Sequence, residues 1–89
     1  MKKKIIILGA TGSIGTITTN IIFKNKKNFK IVLLTAYKNY KKLLSQAKKI
    51  DCNNVIIFDK ENFIKAKKFN INRNIKIFNQ FPKNFLNLD

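Results

Sequence analysis

The chain of 89 residues contains no histidine, no tryptophan, one cysteine, one proline, three glycines and four acidic residues. Each shortage removes a class of chemistry. Without histidine there is no Ser-His-Asp or Cys-His nucleophile pair and no imidazole metal ligand, and Cys52 alone forms neither an internal disulfide nor a thiolate cluster. Asp51, Asp59, Glu61 and Asp89 are too scattered for a carboxylate cage around Mg²⁺ or Ca²⁺. Long apolar runs are missing as well. The run Ile5 to Leu8 that follows Met1-Lys2-Lys3-Lys4 stops at Gly9, short of the roughly 7–15 residues of a secretory h-region. Nothing approaches the roughly 20 apolar residues of a membrane span. A single cysteine without an export signal points to a reducing, cytoplasmic setting.

Cations are abundant. Nineteen Lys and Arg against four acids give a formal charge of +15, which would ordinarily suggest a nucleic acid or another anionic surface as partner. Yet 18 Lys, 15 Ile and 13 Asn fill 46 of the 89 positions, a bias spread over the whole chain and not gathered at one site. A nucleic-acid module would also cluster lysines with exposed aromatics, whereas Phe23, Phe29, Phe58 and Phe69 fall on expected core faces or element ends. The charge is therefore assigned to composition, and nucleic acid is not the expected partner. A chain this short buries only about 60–65% of the surface its unfolded form exposes, so it makes one small domain of marginal stability.

Apolar periodicity orders the chain. Lys4 to Gly9 carries an unalternating, β-branched run expected to be a strand buried on both faces. Ile14, Ile17, Ile21 and Ile22 recur at helical spacing, which predicts a helix from about Ser13 to Lys24 with that stripe inward. Phe29 to Ala36 reads as a second buried strand. Leu43, Leu44, Ala47 and Ile50 form the stripe of a second helix with Asn39 as its cap, and Val55 to Phe58 is a third strand. Asp59 caps a third helix to about Phe69, with Phe63, Ile64 and Ala66 or the Lys67 stem inward. Asn74 to Phe78 makes a short fourth strand. Phe81 to Leu88, opened by Pro82, is either a final amphipathic helix or a loop. The β-α-β-α-β-α-β alternation, without repeat or linker, predicts an open, doubly wound parallel α/β sheet with right-handed crossovers.

The three glycines fall in one place. Gly9-Ala10-Thr11-Gly12-Ser13-Ile14-Gly15 joins the first strand to the first helix. There Gly9 allows the sharp turn, Gly12 leaves room for a pyrophosphate to approach the backbone, and Gly15 lets the helix pack close, while free N–H groups and the helix dipole attract phosphate. Thr11 and Ser13 add hydroxyl donors. The bland alternative is that these are turn and packing glycines. Their position at the strand-loop-helix junction favours dinucleotide binding, and the sheet is then Rossmann-like. An NAD site of this kind places an acid about 20 residues beyond the loop, on the ribose 2′-hydroxyl. No acid lies between Gly15 and Asp51, and the second strand closes on Thr35-Ala36-Tyr37-Lys38-Asn39. A cation and an amide stand where the carboxylate would, so NADP is expected over NAD, with Lys38 drawing a 2′-phosphate and Asn39 hydrogen-bonding to it.

Leu8-Gly9-Ala10-Thr11-Gly12-Ser13-Ile14-Gly15, Phe29-Lys30-Ile31-Val32, Lys38-Asn39 and Gln46-Ala47 together resemble the start of the 1-deoxy-D-xylulose 5-phosphate reductoisomerase family. Similar glycine loops open semialdehyde dehydrogenases and extended short-chain reductases. The Thr-Gly-Ser-Ile-Gly run with Lys-Asn after strand two favours the reductoisomerases. The resemblance is closest over about the first 60 residues. It implies an NADPH-dependent enzyme of the non-mevalonate isoprenoid pathway that rearranges and reduces its sugar phosphate to 2-C-methyl-D-erythritol 4-phosphate with Mg²⁺ or Mn²⁺, as a homodimer. It further implies that Thr11, Gly12, Ser13 and Ile14 belong to the cofactor loop and that Lys38 and Asn39 lie near the adenosine phosphate. Tyr37 stands where the family has Gly, and either crowds the adenosine pocket or stacks on the base. Ala10 replaces the usual Ser.

Members of that family are several times longer, so residues 1–89 are expected to be an incomplete N-terminal NADP-binding domain that lacks the metal-binding catalytic and C-terminal domains. No catalytic residue and no metal ligand is expected here, and the chain alone is expected to be inactive. Two other functions fit less well: a stand-alone, non-catalytic NADP-binding module, and a basic nucleic-acid-binding protein.

Overall fold

The computed structural model describes residues 2–70 and 74–87. Strands β1 (Lys3–Ile7), β2 (Phe29–Ala36), β3 (Asn54–Ile57) and β4 (Lys76–Phe78) alternate with helices α1 (Ser13–Lys24), α2 (Tyr40–Lys49) and α3 (Lys60–Phe69). The strands are all parallel and lie in chain order, β1-β2-β3-β4. Because each crossover steps the same way and such crossovers are right-handed, the three helices share one face of the sheet. Ile22 of α1, Leu43, Leu44 and Ala47 of α2 and Ala66 of α3 accordingly sit in one core with Ile7, Leu34, Val55 and Ile57. The α/β architecture expected from the alternation is the one observed. The opposite face carries a smaller cluster of Val32, Leu33 and Ile56, edged by Ile6 and Phe78.

An irregularity in β2 sets these two faces. The pairing with β1 runs Ile5 to Ile31 and then Ile6 to Leu33, leaving Val32 as an extra residue. Residues three apart in a regular strand point to opposite faces, so the bulge is what lets Ile31 and Leu34 both meet the helices.

Helix boundaries follow their caps. Asn39 Oδ1 accepts the Lys42 N–H at 3.3 Å and Asp59 Oδ2 accepts the Asn62 N–H at 3.0 Å, opening α2 and α3 where expected. At the far end of α2, the Cys52 N–H donates to the Ala47 carbonyl and the Asp51 N–H to that of Lys48, with Asp51 at φ 58°. This is a Schellman closure with aspartate where glycine is usual.

Several expectations differ from what is found. Of the four isoleucines in the α1 repeat only Ile22 is buried, together with Gly15 and Thr19, whereas Ile14, Ile17 and Ile21 point outward at 82%, 60% and 56% exposed. β1 is not buried on both faces: Lys3 and Lys4 are exposed and Leu8 lies beyond the strand, because the described helices cover only one face of the sheet and β1 is at its edge among the described residues. In α3, Ala66 is buried and Phe63 half-buried, but Ile64 is exposed. β4 starts at Lys76, two residues late, and the last stretch forms only a short 3₁₀ turn, Phe85–Asn87. Leu88 lies outside the described residues. Among the described residues no helix is long and apolar enough to cross a membrane.

Candidate functional site

The glycine loop leaves the C-terminal end of β1 and is fastened to β2. The Gly9 N–H donates to Thr35 Oγ1 at 3.0 Å and the Ala10 N–H to the Thr35 carbonyl at 2.8 Å. Gly9 takes φ +63°, the left-handed conformation a side chain resists, and turns the chain back toward α1. Gly15 serves a different need. A Cβ there would collide with the Gly9 carbonyl oxygen and come within 2.6 Å of Ala10 Cα, so α1 lies against the loop backbone only because that side chain is missing.

Gly12 is the N-cap of α1, in ordinary extended backbone at φ −74°, and nothing caps the helix from a side chain. The first intrahelical bond is donated by the Thr16 N–H to the Gly12 carbonyl. The N–H groups of Ser13, Ile14 and Gly15 therefore precede the ladder and aim out of the helix end, where the dipole favours an anion. A Cβ on Gly12 would meet only the Gly9 carbonyl oxygen, at 3.5 Å. The space is open for a ligand and not filled by protein. A groove of about 530 Å³ runs along this end, lined by Gly9, Gly12, Ser13, Ile14, Gly15 and Thr18.

A second, apolar pocket of about 290 Å³ opens over the ends of β1 to β3, between Leu8, Thr35, Ala36, Tyr37, Phe58 and Phe81. Tyr37 is 63% exposed at its rim. Beside it the Lys38 ammonium lies 5.8 Å from the centre of the Tyr37 ring. The hydrogen bonds from Asn62 hold the Asp59 carboxyl below its ordinary range, with Lys38 and Lys65 adding to that effect. Asn39 spends Oδ1 on the helix cap, a bond that leaves its Nδ2 donor uncommitted.

The structure thus brings Thr11, Gly12, Ser13, Ile14, Tyr37, Lys38 and Asn39 to one end of the sheet, around the loop. It also adds residues to which the sequence assigned no role. Gln46 Nε2 donates to the Ala10 carbonyl at 2.8 Å, and Lys42 Nζ to the Thr11 carbonyl at 3.0 Å. Asn39, Lys42 and Gln46 recur at helical spacing beside the apolar stripe of α2, so a polar file along a core-facing helix was the available signal. Thr35 gave none, being one threonine inside an apolar strand.

Phosphate-scale room over Gly12, unpaired donors at a helix start, an apolar slot and the absence of an acid from the Thr35–Asn39 segment that closes β2 fit a phosphorylated dinucleotide. The same residues do not fit a metal: among those described, no group of three or more His, Cys, Asp or Glu is placed to hold one. Asp59 is already engaged as a helix cap.

Parallel strands, one-sided crossovers and a glycine loop closing on a helix start define a Rossmann-like nucleotide-binding fold. The family model for 1-deoxy-D-xylulose 5-phosphate reductoisomerase matches residues 5–83, and the chain belongs to that family. The reductoisomerase of Pelagibacter ubique is 49% identical over 79 residues, covering 89% of this chain and 20% of the relative. That of Clostridium novyi is 49% identical over 76 residues, 84% of this chain and 20% of the relative. Among solved structures, the Zymomonas mobilis reductoisomerase in complex with NADPH superposes with a TM-score of 0.82 at 28% identity, over 88% of this chain and 21% of that one. A reductoisomerase in complex with NADPH, fosmidomycin and magnesium gives 0.77 at 27% identity, over 85% of this chain and 19% of that one. The chain spans about a fifth of the length of the relatives it matches.

Proposed function

We propose that these 89 residues form the N-terminal, adenosine-anchoring part of an NADPH-dependent reductoisomerase acting on 1-deoxy-D-xylulose 5-phosphate to give 2-C-methyl-D-erythritol 4-phosphate. The pyrophosphate lies over Gly12 and takes the N–H groups of Ser13 and Ile14 together with the Thr11 and Ser13 hydroxyls. The adenine enters the apolar pocket beside Tyr37, stacking on the ring, because Tyr37 stands at the rim and leaves the slot open. The 2′-phosphate lies at the end of β2 near Lys38 and Asn39. When bound, NADPH supplies the hydride of the reduction. This chain's own residues bind and orient the cofactor's adenosine end.

The remaining tasks fall to segments other than these. A metal that polarises substrate oxygens and a pocket for a sugar phosphate need donor groups that the described residues do not assemble. The 89-residue chain alone therefore turns over no substrate when NADPH, Mg²⁺ and 1-deoxy-D-xylulose 5-phosphate are all supplied, and turnover above background would contradict this assignment. A cytoplasmic setting accords with one free, buried cysteine.

The observation that carries the proposal is the open space over Gly12 beside an uncapped helix start. Its backbone angles suit any residue, so Gly12→Ala should fold normally, with stability changed by less than about 0.5 kcal/mol. The added methyl would stand where a pyrophosphate approaches. NADPH affinity, measured by fluorescence titration, should drop about tenfold, roughly one phosphate contact. Unchanged affinity in the folded variant would return the glycines to a packing role.

A further inference from the structure

The site's geometry raises a question about which cation meets the ribose 2′-phosphate. Lys38 is the residue the sequence offers, yet its ammonium lies 5.8 Å from the centre of the Tyr37 ring and acts on Asp59, just past the end of β3. Lys42 stands on the loop side. Its backbone N–H is held by the Asn39 cap, and its ammonium reaches back to the Thr11 carbonyl at 3.0 Å. That fixes a full positive charge between the glycine loop and the end of β2, where the ribose of a dinucleotide lies in this fold.

Helix physics argues against a lysine here for stability's sake. The first turn of α2 has no acid and carries Lys41 and Lys42, so the positive end of the dipole faces like charge. Such placement is unfavourable unless an anion joins it. The Thr11 carbonyl satisfies only one of the three ammonium donors.

We infer that Lys42 is a specificity-determining residue for NADP(H): its ammonium, steadied by Thr11, pairs with the 2′-phosphate. This inference rests on the proposed NADPH binding and names a residue within it. A lysine that merely braced the loop would matter equally to ligands with and without the 2′-phosphate.

Calorimetric titration of the 89-residue chain with adenosine 2′,5′-bisphosphate and with 5′-AMP, at about 0.15 M salt to screen diffuse attraction, separates the cases. Wild type should prefer the bisphosphate. Lys42→Met should weaken the bisphosphate about tenfold, the loss of one charge-assisted hydrogen bond, and change 5′-AMP less than about twofold. Lys42→Arg should retain the preference, and Lys48→Met, at the other end of α2, should leave both affinities as they are. Equal weakening of both ligands in Lys42→Met, or no weakening of either, would overturn the role of Lys42 while the wild-type preference stands. A wild type that binds both ligands equally would overturn the NADP(H) proposal itself.

Discussion

Helices α1 and α2 flank the same loop and are built on opposite principles. α2 buries Leu43, Leu44 and Ala47, opens on a side-chain cap and closes in a Schellman motif, so its apolar stripe and its ends agree with one another. α1 buries Gly15, Thr19 and Ile22, has no side-chain cap, and leaves three isoleucines facing outward. The Thr19 hydroxyl donates to the Gly15 carbonyl at 2.6 Å, spending its polar group within the helix. What positions α1 is close approach to the loop backbone, which requires a residue without a Cβ. What positions α2 is burial of large side chains. A helix that presents its N–H groups to a ligand must come near the loop, and small residues on its inner face permit that at the expense of packing.

That contrast ranks the substitutions. Leu44→Ala should cost about 3 kcal/mol through the cavity it leaves, measured by urea unfolding. For a small domain of roughly 5 kcal/mol total stability this leaves the chain barely folded. Gly15→Ala adds a methyl yet should still cost about 2 kcal/mol, because α1 must move off the loop, and it should weaken NADPH binding together with stability. A Gly15→Ala chain as stable as wild type would break the distinction between the helices.

The closure after α2 can be read by pH. Burial raises the Cys52 thiol from its ordinary 9.0 to about 11, so the fold favours the protonated form. Stability from this group is complete below about pH 9 and is lost as pH climbs toward 11, by about 3 kcal/mol in all. Subtracting the unfolding profile of Cys52→Ala from that of wild type should isolate this fall, and parallel profiles would contradict it. Asn39→Ala should cost about 1 kcal/mol by uncapping α2. Ile17→Thr on α1 should change stability by less than about 0.5 kcal/mol, since its side chain is already exposed. A loss as large as that of Leu44→Ala would mean α1 packs by its isoleucines after all.

The same contrast explains what the sequence made legible. α2 announced itself because cap, stripe and stop coincide, with Asn39 before Leu43 and Leu44, while α3 was legible mainly from its Asp59 cap, since of Phe63, Ile64 and Ala66 the structure turns Ile64 outward. The parallel α/β architecture and the glycine loop were legible from alternation and from the clustering of all three glycines, whereas the order of the strands in the sheet was not. The inner face of α1 was legible only at Ile22, because Ile14, Ile17 and Ile21 satisfy a helical period as well as Gly15, Thr19 and Ile22 do, and hydrophobicity does not pick out the small inward residues. The Val32 bulge was hidden inside an unbroken apolar run, where a shift of register changes no residue type. The roles of Lys42 and Gln46 were faint for another reason. Their polar file with Asn39 along α2 is a signal, but in a chain with 18 lysines it does not single out the one that reaches a loop 31 residues back.

The central claim is that the loop between β1 and α1, completed by the basic end of β2, holds a phosphorylated dinucleotide. Parallel titration of the chain with NADPH and NADH at about 0.15 M salt tests it most directly, since diffuse attraction to a +15 chain is then screened. NADPH should bind about tenfold or more tighter than NADH, as a charge-assisted contact to the 2′-phosphate requires. Equal affinities would contradict the account.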